Sequence, residues 1–318
     1  MVSTSPRVLV IRGGAIGDFI LTLPAIRLLR QNIPGCHLEV LGYPGIMDLA
    51  VKAGLADAVR SLEHRTMPLL FAREAVIDPA LSDYLCSFTL IISYLYDPDS
   101  ILRVNLERIG VKTVIECPHR VVPGVGHAAE QLAKPLEKLA LFLEEPGWRN
   151  ANFQVRSSGC ADDPGQQTGN FVLRIAIHLG SGSERKNWPV EHWLRLATEI
   201  QSTRPEAKLV FITGEAEDAR GVRTPCPGPS VESWHSLPLI ELADRLGTCT
   251  LFLGHDSGIS HLAAACGIPC VLLFGPTDAA TWAPPQPSVR IIHAPGSDLK
   301  FLPYVTVRDT VLLYLRNL

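Results

Sequence analysis

The segment between residues 251 and 278, LFLGHDSGISHLAAACGIPCVLLFGPTD, constrains the fold of this chain more than any other. Two apolar runs, 251–253 and 270–274, flank a turn of small polar residues and a short helix pattern rich in alanine. This order predicts a strand, a tight turn, a helix and a second strand, which together form one βαβ unit. The turn then lies at the carboxyl end of the first strand.

That turn reads Asp256-Ser257-Gly258. The N–H groups at the start of a helix have no intrahelical acceptor, and the helix dipole favours an anion there. We expect free N–H groups at Ser257, Gly258 and Ser260, and Gly258 has no side chain that would keep a phosphate away. The turn therefore predicts an anion site, but an ordinary α/β crossover with Asp256 or Ser257 as the helix cap accounts for the same residues.

Length and composition limit the class of protein. A chain of 318 residues is long for a single core and predicts two domains. Its 47% hydrophobic and 19% charged residues are typical of a soluble globular protein, and a net charge of −3 gives no indication of a nucleic-acid partner. No apolar run approaches the roughly 18–20 residues of a membrane span. The eight cysteines lack CxxC spacing, which favours reduced cytosolic thiols over disulfides or zinc.

Strand and helix patterns alternate along both halves of the chain. Strands are predicted over residues 7–12, 37–42, 58–62, 88–95, 112–116, 173–179, 207–213, 251–253, 270–274 and 288–293. Helices are predicted over residues 19–31, 46–53, 101–109, 128–143, 190–200, 216–222, 237–246, 261–266 and 309–318. Repeated βα units of this kind predict the α/β class, with two doubly wound parallel sheets.

A polar, turn-rich stretch, RSSGCADDPGQQTG, separates the two halves. We predict a first domain over residues 1–156, a linker over 157–169 and a second domain over 170–318, whose last helix can dock on either domain. Two Rossmann-like domains would place a ligand cleft between the carboxyl ends of their sheets.

The first βα turn, GGAIGD, ends at Asp18. A dinucleotide-binding turn would read G-x-G-x-x-G, but Arg12 occupies the first glycine position. The acid about twenty positions later, Glu39, lies inside a predicted strand and not at its end. An NAD site is therefore excluded, and the turn presents the Asp18 carboxylate at the mouth of the cleft. Asp18 as a helix cap is the alternative, and the two roles are compatible.

Three further groups of residues follow strand ends in the second half. Gly180–Ser183 and Lys186 form a Gly/Ser loop with a lysine that can bind a phosphate, although no Walker A motif is present. A solvent-exposed charged run, Glu184-Arg185-Lys186, is the alternative explanation for the lysine. Glu215, Glu217 and Asp218 follow the next strand and suit either ribose hydroxyls or simple solvation. His255 and His261 lack metal-ligand spacing, and packing at the end of a strand accounts for His178, so no metal site is predicted.

Three segments together resemble glycosyltransferase family 9, the ADP-heptose:lipopolysaccharide heptosyltransferase family. They are RVLVIRGGAIGDFILTLPAIRLLR, GSGSERKNWPVEHW and LFLGHDSGISHLAAACGIPCVLLFGPTDAATW, in that order. The resemblance implies a GT-B fold with the acceptor in the first domain and the donor in the second. It further implies inverting, metal-independent heptose transfer from an ADP-activated donor, without a cofactor, to a lipopolysaccharide inner-core or other glycan acceptor.

The resemblance also implies roles for individual residues. Asp18 matches the catalytic carboxylate, and Gly14 and Gly17 belong to its acceptor-side loop. Lys186 matches the lysine on the donor phosphates. Ser181 or Ser183 matches the hydroxyl positions of the same loop, and Glu217 matches the ribose-binding acid, with Glu215 as the alternative. Leu237 matches the adenine-side wall. The D-[ST]-G-x-x-H turn under the diphosphate falls on Asp256, Ser257, Gly258 and His261.

Two alternative functions remain open. A GT-B protein of this kind could epimerise or hydrolyse a nucleotide sugar, or only bind one. The cysteine pattern predicts a cytoplasmic protein. A lipid-linked acceptor predicts at most peripheral contact with the inner face of the membrane, although no basic amphipathic helix stands out.

Overall fold

The computed structural model describes residues 5–144, 147–149, 172–224 and 228–317. The chain divides into two units, Met1–Trp148 and Arg149–Leu318, and each has its own sheet. The linker predicted over residues 157–169 lies outside the described residues.

The described part of the first unit contains a five-stranded parallel sheet in the order β3-β2-β1-β4-β5. Its strands are β1 (Arg7–Ile11), β2 (His37–Gly42), β3 (Ala58–Ser61), β4 (Leu90–Ser93) and β5 (Val114–Glu116). Its α-helices are α1 (Ile16–Asn32), α2 (Pro44–Lys52), α3 (Pro79–Cys86), α4 (Ile101–Arg108) and α5 (Ala128–Ala133). The central strands are buried on both faces, which explains why they read as continuous apolar runs.

The second unit contains a six-stranded parallel sheet among its described residues, in the order β11-β10-β9-β6-β7-β8. Its strands are β6 (Arg174–His178), β7 (Lys208–Thr213), β8 (Val231–His235), β9 (Leu251–His255), β10 (Cys270–Phe274) and β11 (Val289–His293). Its α-helices are α6 (Val190–Thr203), α7 (Glu215–Asp218), α8 (Leu239–Leu246), α9 (Gly258–Ala265), α10 (Ala279–Trp282) and α11 (Tyr304–Arg316).

Each sheet reverses its strand order between its first and fourth strands. The reversal lies between β1 and β4 in the first unit and between β6 and β9 in the second. In open α/β sheets a ligand binds outside the carboxyl ends of the strands at this point. The loops that follow these four strands are therefore the places where each unit is expected to bind its ligand.

The prediction of two parallel α/β sheets is confirmed, but several elements differ from their predicted bounds. Helix α3 and strand β8 were not predicted. The helix predicted over 128–143 ends at Ala133 and continues as a 3-10 helix, Lys134–Leu139. Pro135 explains the change, because it has no N–H group for an α-helical hydrogen bond. The last helix begins at Tyr304, directly after Pro303, and not at residue 309.

A hydrophobic core covers one face of the second sheet. Trp188, just before α6, and Trp193, in its first turn, are fully buried in it together with residues of α11. Helix α11 therefore packs within the second unit. No helix among the described residues is long and apolar enough to cross a membrane.

Candidate active site

Two of the predicted donor residues contact each other in the second unit. Lys186 follows β6 and Asp256 follows β9, and these two strands are neighbours at the point where the strand order reverses. The Lys186 Nζ atom lies 2.6 Å from Asp256 Oδ2, and the Asp256 side chain is only 8% exposed. The fold thus brings together two predicted residues that are 70 positions apart in the sequence.

The Gly/Ser loop after β6 is held in shape by Ser181. Its buried hydroxyl lies 2.7 Å from Asn187 Oδ1 and 2.9 Å from the carbonyl oxygen of Ser183. Ser183 itself is exposed, and Lys186 lies in a one-turn 3-10 helix that begins at Glu184. Ser181 therefore shapes the loop from within, whereas Ser183 and Lys186 reach its surface.

The turn after β9 leads directly into α9. Ser257 is the helix N-cap, and its hydroxyl accepts a hydrogen bond from the Ser260 N–H. The expectation of a free N–H group at Ser260 is therefore wrong, because the cap satisfies it. Asp256 is not the cap, since its carboxylate is bound to Lys186. Gly258 opens the helix, where an N–H group has no intrahelical acceptor.

A buried histidine, His255, ties the Gly/Ser loop to α6. Its Nε2 atom accepts hydrogen bonds from the Trp188 backbone N–H, at 2.8 Å, and from the Trp193 indole N–H, at 3.1 Å. Nδ1 must then carry the proton, and it lies 3.4 Å from the carbonyl oxygen of Gly180. Burial lowers the pKa of His255 to about 3, so the ring is neutral. Sequence reasoning considered His255 only as a metal ligand and missed this supporting role.

The other two histidines of this region are also buried. His178 ends β6, its Nδ1 atom lies 3.3 Å from Ser257 Oγ, and burial lowers its pKa to about 4. His261 is 5% exposed within α9. Among the described residues there is no group of three or more His, Cys, Asp and Glu that could hold a metal ion.

Of the two candidate ribose acids, only Glu217 lies against the Gly/Ser loop. Glu217 is 3% exposed, and its Oε2 accepts a hydrogen bond of 2.8 Å from the Gly214 N–H. A side chain at Gly180 would overlap its carboxylate, with Glu217 Cδ only 2.6 Å from the added Cβ. Glu215 is exposed at the first position of α7. Glu217 therefore packs beneath the loop, whereas Glu215 lies at the surface.

Two more residues complete this edge of the second sheet. Arg220, which sequence reasoning missed, donates a hydrogen bond from its guanidinium to the Ser181 carbonyl oxygen. Leu237 is half-buried in the loop between β8 and α8, which begins at Leu239 and not at residue 237 as predicted. All the predicted donor residues thus follow the carboxyl ends of strands or lie in α7 and α9.

Asp18, Gly14 and Gly17 belong to the first unit. Asp18 is the third residue of α1, and its Oδ2 accepts a hydrogen bond of 3.1 Å from the Ala15 N–H. Its side chain is 40% exposed. Gly14 has φ +101°, and a Cβ there would lie 3.1 Å from Asp18 Oδ2, so the turn requires a glycine. Asp18 thus supports the helix start and still presents its carboxylate to solvent.

A buried guanidinium stands behind this turn. The Arg12 side chain is 4% exposed, and one of its terminal nitrogens lies 3.9 Å from Asp18 Oδ1. Its Nε is buried without a hydrogen-bond partner in the part of the chain that the structure describes. Burial lowers the pKa of Arg12, and the Asp18 carboxylate acts in the opposite direction. The arginine that excluded an NAD site therefore supports Asp18.

Comparison with known proteins shows the family of this chain. The family model for glycosyltransferase family 9 (heptosyltransferase) matches residues 145–303. The chain is 34% identical over 344 residues to lipopolysaccharide heptosyltransferase 3 of Escherichia coli, and the match covers 94% of this chain and 92% of that protein.

Two solved structures show the fold. The family 9 glycosyltransferase of Veillonella parvula DSM 2008 matches with a TM-score of 0.72 at 18% identity, covering 100% of this chain and 99% of that one. The E. coli heptosyltransferase WaaC with ADP-2-deoxy-2-fluoro heptose matches with a TM-score of 0.69 at 19% identity, covering 97% and 99%. The fold is of the GT-B type, with two Rossmann-like domains. The chain belongs to glycosyltransferase family 9 and is a glycosyltransferase.

Proposed function

We propose that this protein transfers a heptose from an ADP-activated donor to a lipopolysaccharide-core or related glycan acceptor, with inversion at the anomeric carbon. Support comes from the relative that is named a lipopolysaccharide heptosyltransferase and from the WaaC structure with an ADP-heptose analogue. The observation that carries the proposal is the Lys186–Asp256 pair beside the start of α9, at the strand-order reversal of the second sheet.

The donor binds to the second unit in this proposal. The diphosphate interacts with Lys186 and with the N–H groups at the start of α9, where the helix dipole also favours an anion. Glu217 accepts hydrogen bonds from the ribose hydroxyls, and Leu237 contacts the adenine. The Ser257 hydroxyl and the buried His178 and His261 shape the turn beneath the phosphates.

Charge develops on ADP as the bond between the anomeric carbon and the diphosphate oxygen breaks. The Lys186 ammonium and the α9 N–H groups stabilise this leaving group, so that the reaction needs no metal ion and no cofactor. This kind of fixed electrostatic stabilisation acts on the transition state because the ammonium and the N–H groups are already in place before the bond breaks.

Asp18 acts on the acceptor. Its carboxylate takes the proton from the acceptor hydroxyl while that oxygen forms the new bond to the anomeric carbon, on the face opposite to the leaving ADP. The sugar is inverted, ADP leaves with the electron pair of the broken bond, and the proton remains on Asp18. General-base assistance of this kind typically contributes about 10²–10⁴-fold. The 40% exposed carboxylate is accessible to such a hydroxyl.

Product analysis tests the proposal. The purified chain is incubated with ADP-heptose and lipid A acceptors that carry Kdo alone or Kdo extended by heptose, and the products are identified by mass spectrometry in the presence of EDTA. A heptosylated glycan together with ADP supports the proposal. Free heptose, an epimerised nucleotide sugar or unchanged donor would instead indicate a hydrolase, an epimerase or a binding protein. Because the acceptors are lipid-linked, we place the reaction at the inner face of the cytoplasmic membrane, which co-flotation with acceptor-containing vesicles tests.

A further inference from the structure

A cavity of about 300 Å³ opens at the carboxyl ends of β4 and β5, in the first unit. The loop after β4, the start of α4 and the residues after β5 surround it. Its volume is at the lower end of the roughly 300–1,000 Å³ that is typical of small-molecule sites. None of the functional residues predicted from the sequence lines it.

The cavity adjoins the turn that carries Asp18. Leu95, which lines the cavity, has its Cδ2 atom 3.6 Å from the point where a Cβ of Gly13 would stand. His119 also lines it, and its carbonyl oxygen accepts a hydrogen bond of 3.4 Å from the Arg12 guanidinium. A molecule bound in the cavity therefore lies next to the Asp18 turn.

Two aromatic rings form part of the cavity wall. The Tyr96 side chain is 65% exposed, and its ring centroid lies 4.4 Å from that of the His119 imidazole. A large exposed aromatic side chain at the rim of a cavity is typical of a binding surface. A pyranose ring matches this surface, because one face of the sugar consists of C–H groups that can lie on the Tyr96 ring. Its hydroxyls, around the edge of the sugar ring, can then form hydrogen bonds with polar groups of the cavity.

The charged groups of the cavity favour a neutral ligand. Asp97 and Glu116 supply two carboxylates, whereas Arg103 is the single Lys or Arg among the lining residues. The Arg103 guanidinium pairs with Glu116, at 3.3 Å, and with Glu107, at 2.9 Å, and the Asp97 carboxylate accepts hydrogen bonds from the Leu102 and Arg103 N–H groups. One positive and two negative side chains line the cavity, so an excess of negative charge remains. Carboxylates accept hydrogen bonds from sugar hydroxyls but repel a carboxylate or phosphate of the ligand.

We propose that this cavity binds a neutral sugar ring of the acceptor glycan and discriminates against sugar acids. The assignment to the acceptor rests on the proposed function, while the binding of a neutral sugar does not. Tyr96 provides the stacking surface, and Glu116 with Asp97 provides the negative charge that excludes an acidic ring.

Direct binding tests the cavity on the full chain. Saturation-transfer NMR titrations use three probes: methyl α-D-mannopyranoside, the methyl α-glycoside of L-glycero-D-manno-heptose, and the methyl α-glycoside of Kdo, an eight-carbon sugar acid. The neutral glycosides should bind and the Kdo glycoside should bind about tenfold more weakly or not at all. Equal or tighter binding of the Kdo glycoside, or no binding of either neutral probe, would overturn the proposal.

Two variants and a matched control locate the binding. Tyr96→Ala should weaken the neutral glycosides by about tenfold, and Glu116→Gln should narrow the gap between neutral and acidic probes. Val104→Ala is the control, because Val104 is 55% exposed on α4 and does not line the cavity. An unchanged circular-dichroism spectrum and an unchanged urea unfolding transition show that each variant is folded. If Tyr96→Ala binds the neutral probes like the unmodified chain, the cavity is not their site.

A transfer assay separates this inference from the proposed function. If the unmodified chain transfers no heptose but binds neutral glycosides through Tyr96, the proposed function fails and the sugar site stands. If the chain transfers heptose and Tyr96→Ala leaves the KM for the acceptor unchanged, the proposed function stands and the cavity is not the acceptor site. Tyr96→Ala should instead raise the acceptor KM by about tenfold and leave the KM for ADP-heptose unchanged.

Discussion

Lys186 Nζ lies 2.6 Å from Asp256 Oδ2 and joins the Gly/Ser loop to the turn before α9. The carboxylate is 8% exposed and the lysine 31% exposed, so the pair is partly shielded from water. A diphosphate that binds here must share this lysine with Asp256. The two residues therefore have to be considered as one unit in any account of donor binding.

The first prediction concerns this coupling. Lys186→Ala should weaken ADP binding by roughly 1.5–3 kcal/mol, because a charge-assisted contact is lost and Asp256 is left as an unpaired carboxylate beside the phosphates. AMP binding should change less. Adding Asp256→Asn to Lys186→Ala should restore part of the loss, since the repelling charge is removed. Calorimetric titration of ADP and AMP into the unmodified chain, the two single variants and the double variant gives the coupling energy. Additive losses of binding free energy would contradict a shared role.

The second prediction uses two glycines of the same loop. Gly180→Ala would bring a Cβ to 2.6 Å from Glu217 Cδ, whereas Gly182→Ala meets nothing within 4 Å. We expect Gly180→Ala to displace the Glu217 carboxylate and to lower the affinity for adenosine and ADP by about tenfold or more, because the ribose contact is lost. Gly182→Ala, as the control, should bind adenosine and ADP with almost unchanged affinity. Equal affinities for the two variants would remove Glu217 from the ribose site.

The third prediction concerns stability and pH. Burial lowers the pKa of His255 to about 3 and that of His178 to about 4, whereas histidine in an unfolded chain titrates near 6.5. Below about pH 6.5 the unfolded chain takes up two protons that the folded chain does not accept. The stabilisation by the neutral rings is therefore complete above pH 6.5 and is lost as the pH falls towards 4 and then 3. The free energy of unfolding should fall by roughly 2 kcal/mol per pH unit between about pH 6 and 5.

Urea unfolding at several pH values, followed by tryptophan fluorescence, measures this slope, since Trp188 and Trp193 are buried beside His255. His178→Gln should reduce the slope by about half. His293→Gln is the control, because His293 is exposed at the end of β11. A slope that His178→Gln does not change would show that other groups cause the acid sensitivity.

The sequence predicts the fold well where strands are buried on both faces. Strands such as β9 and β10 contain only buried residues and read as apolar runs, so their positions were predicted closely. Strand β8 lies at the edge of its sheet and has a single buried residue, Trp234, which leaves no apolar run to recognise. Helix α3 buries only Leu81 and Leu85 and was missed for the same reason.

The sequence identifies many residues of the candidate site but does not predict the contacts between them. The residues after strand ends were identified because such positions converge at one edge of a parallel sheet. The contact between Lys186 and Asp256 depends on β6 and β9 being neighbours, which is a matter of strand order and not of local sequence. The support from His255 was missed because its partners, Trp188 and Gly180, belong to another part of the chain.

The fourth prediction tests Asp18 as the base. Asp18→Asn keeps the size of the side chain and its hydrogen bond to the Ala15 N–H while removing the basic carboxylate. We expect kcat to fall by about 10²-fold or more and ADP affinity to stay nearly unchanged, because the proposed donor residues lie in the other unit. Steady-state kinetics of heptose transfer and ADP calorimetry measure the two quantities. A variant that turns over at the unmodified rate would leave Asp18 with its structural role only.

The last prediction separates the position of Asp18 from its charge, with two adjacent glycines. Gly14 has φ +101°, and a Cβ added to it would lie 3.1 Å from Asp18 Oδ2. The nearest atom to a Cβ added to Gly13 is Leu95 Cδ2, at 3.6 Å. Gly14→Ala therefore strains the turn and pushes the carboxylate away from its place, while Gly13→Ala makes an ordinary contact. We expect Gly14→Ala to lower kcat by about tenfold or more with little change in ADP affinity, and Gly13→Ala to retain most of its activity. Because Asp18 is still present and ionisable in both variants, a loss confined to Gly14→Ala shows that the turn acts by holding the carboxylate in position. Equal kcat values for the two variants would show that the geometry of this turn does not limit transfer.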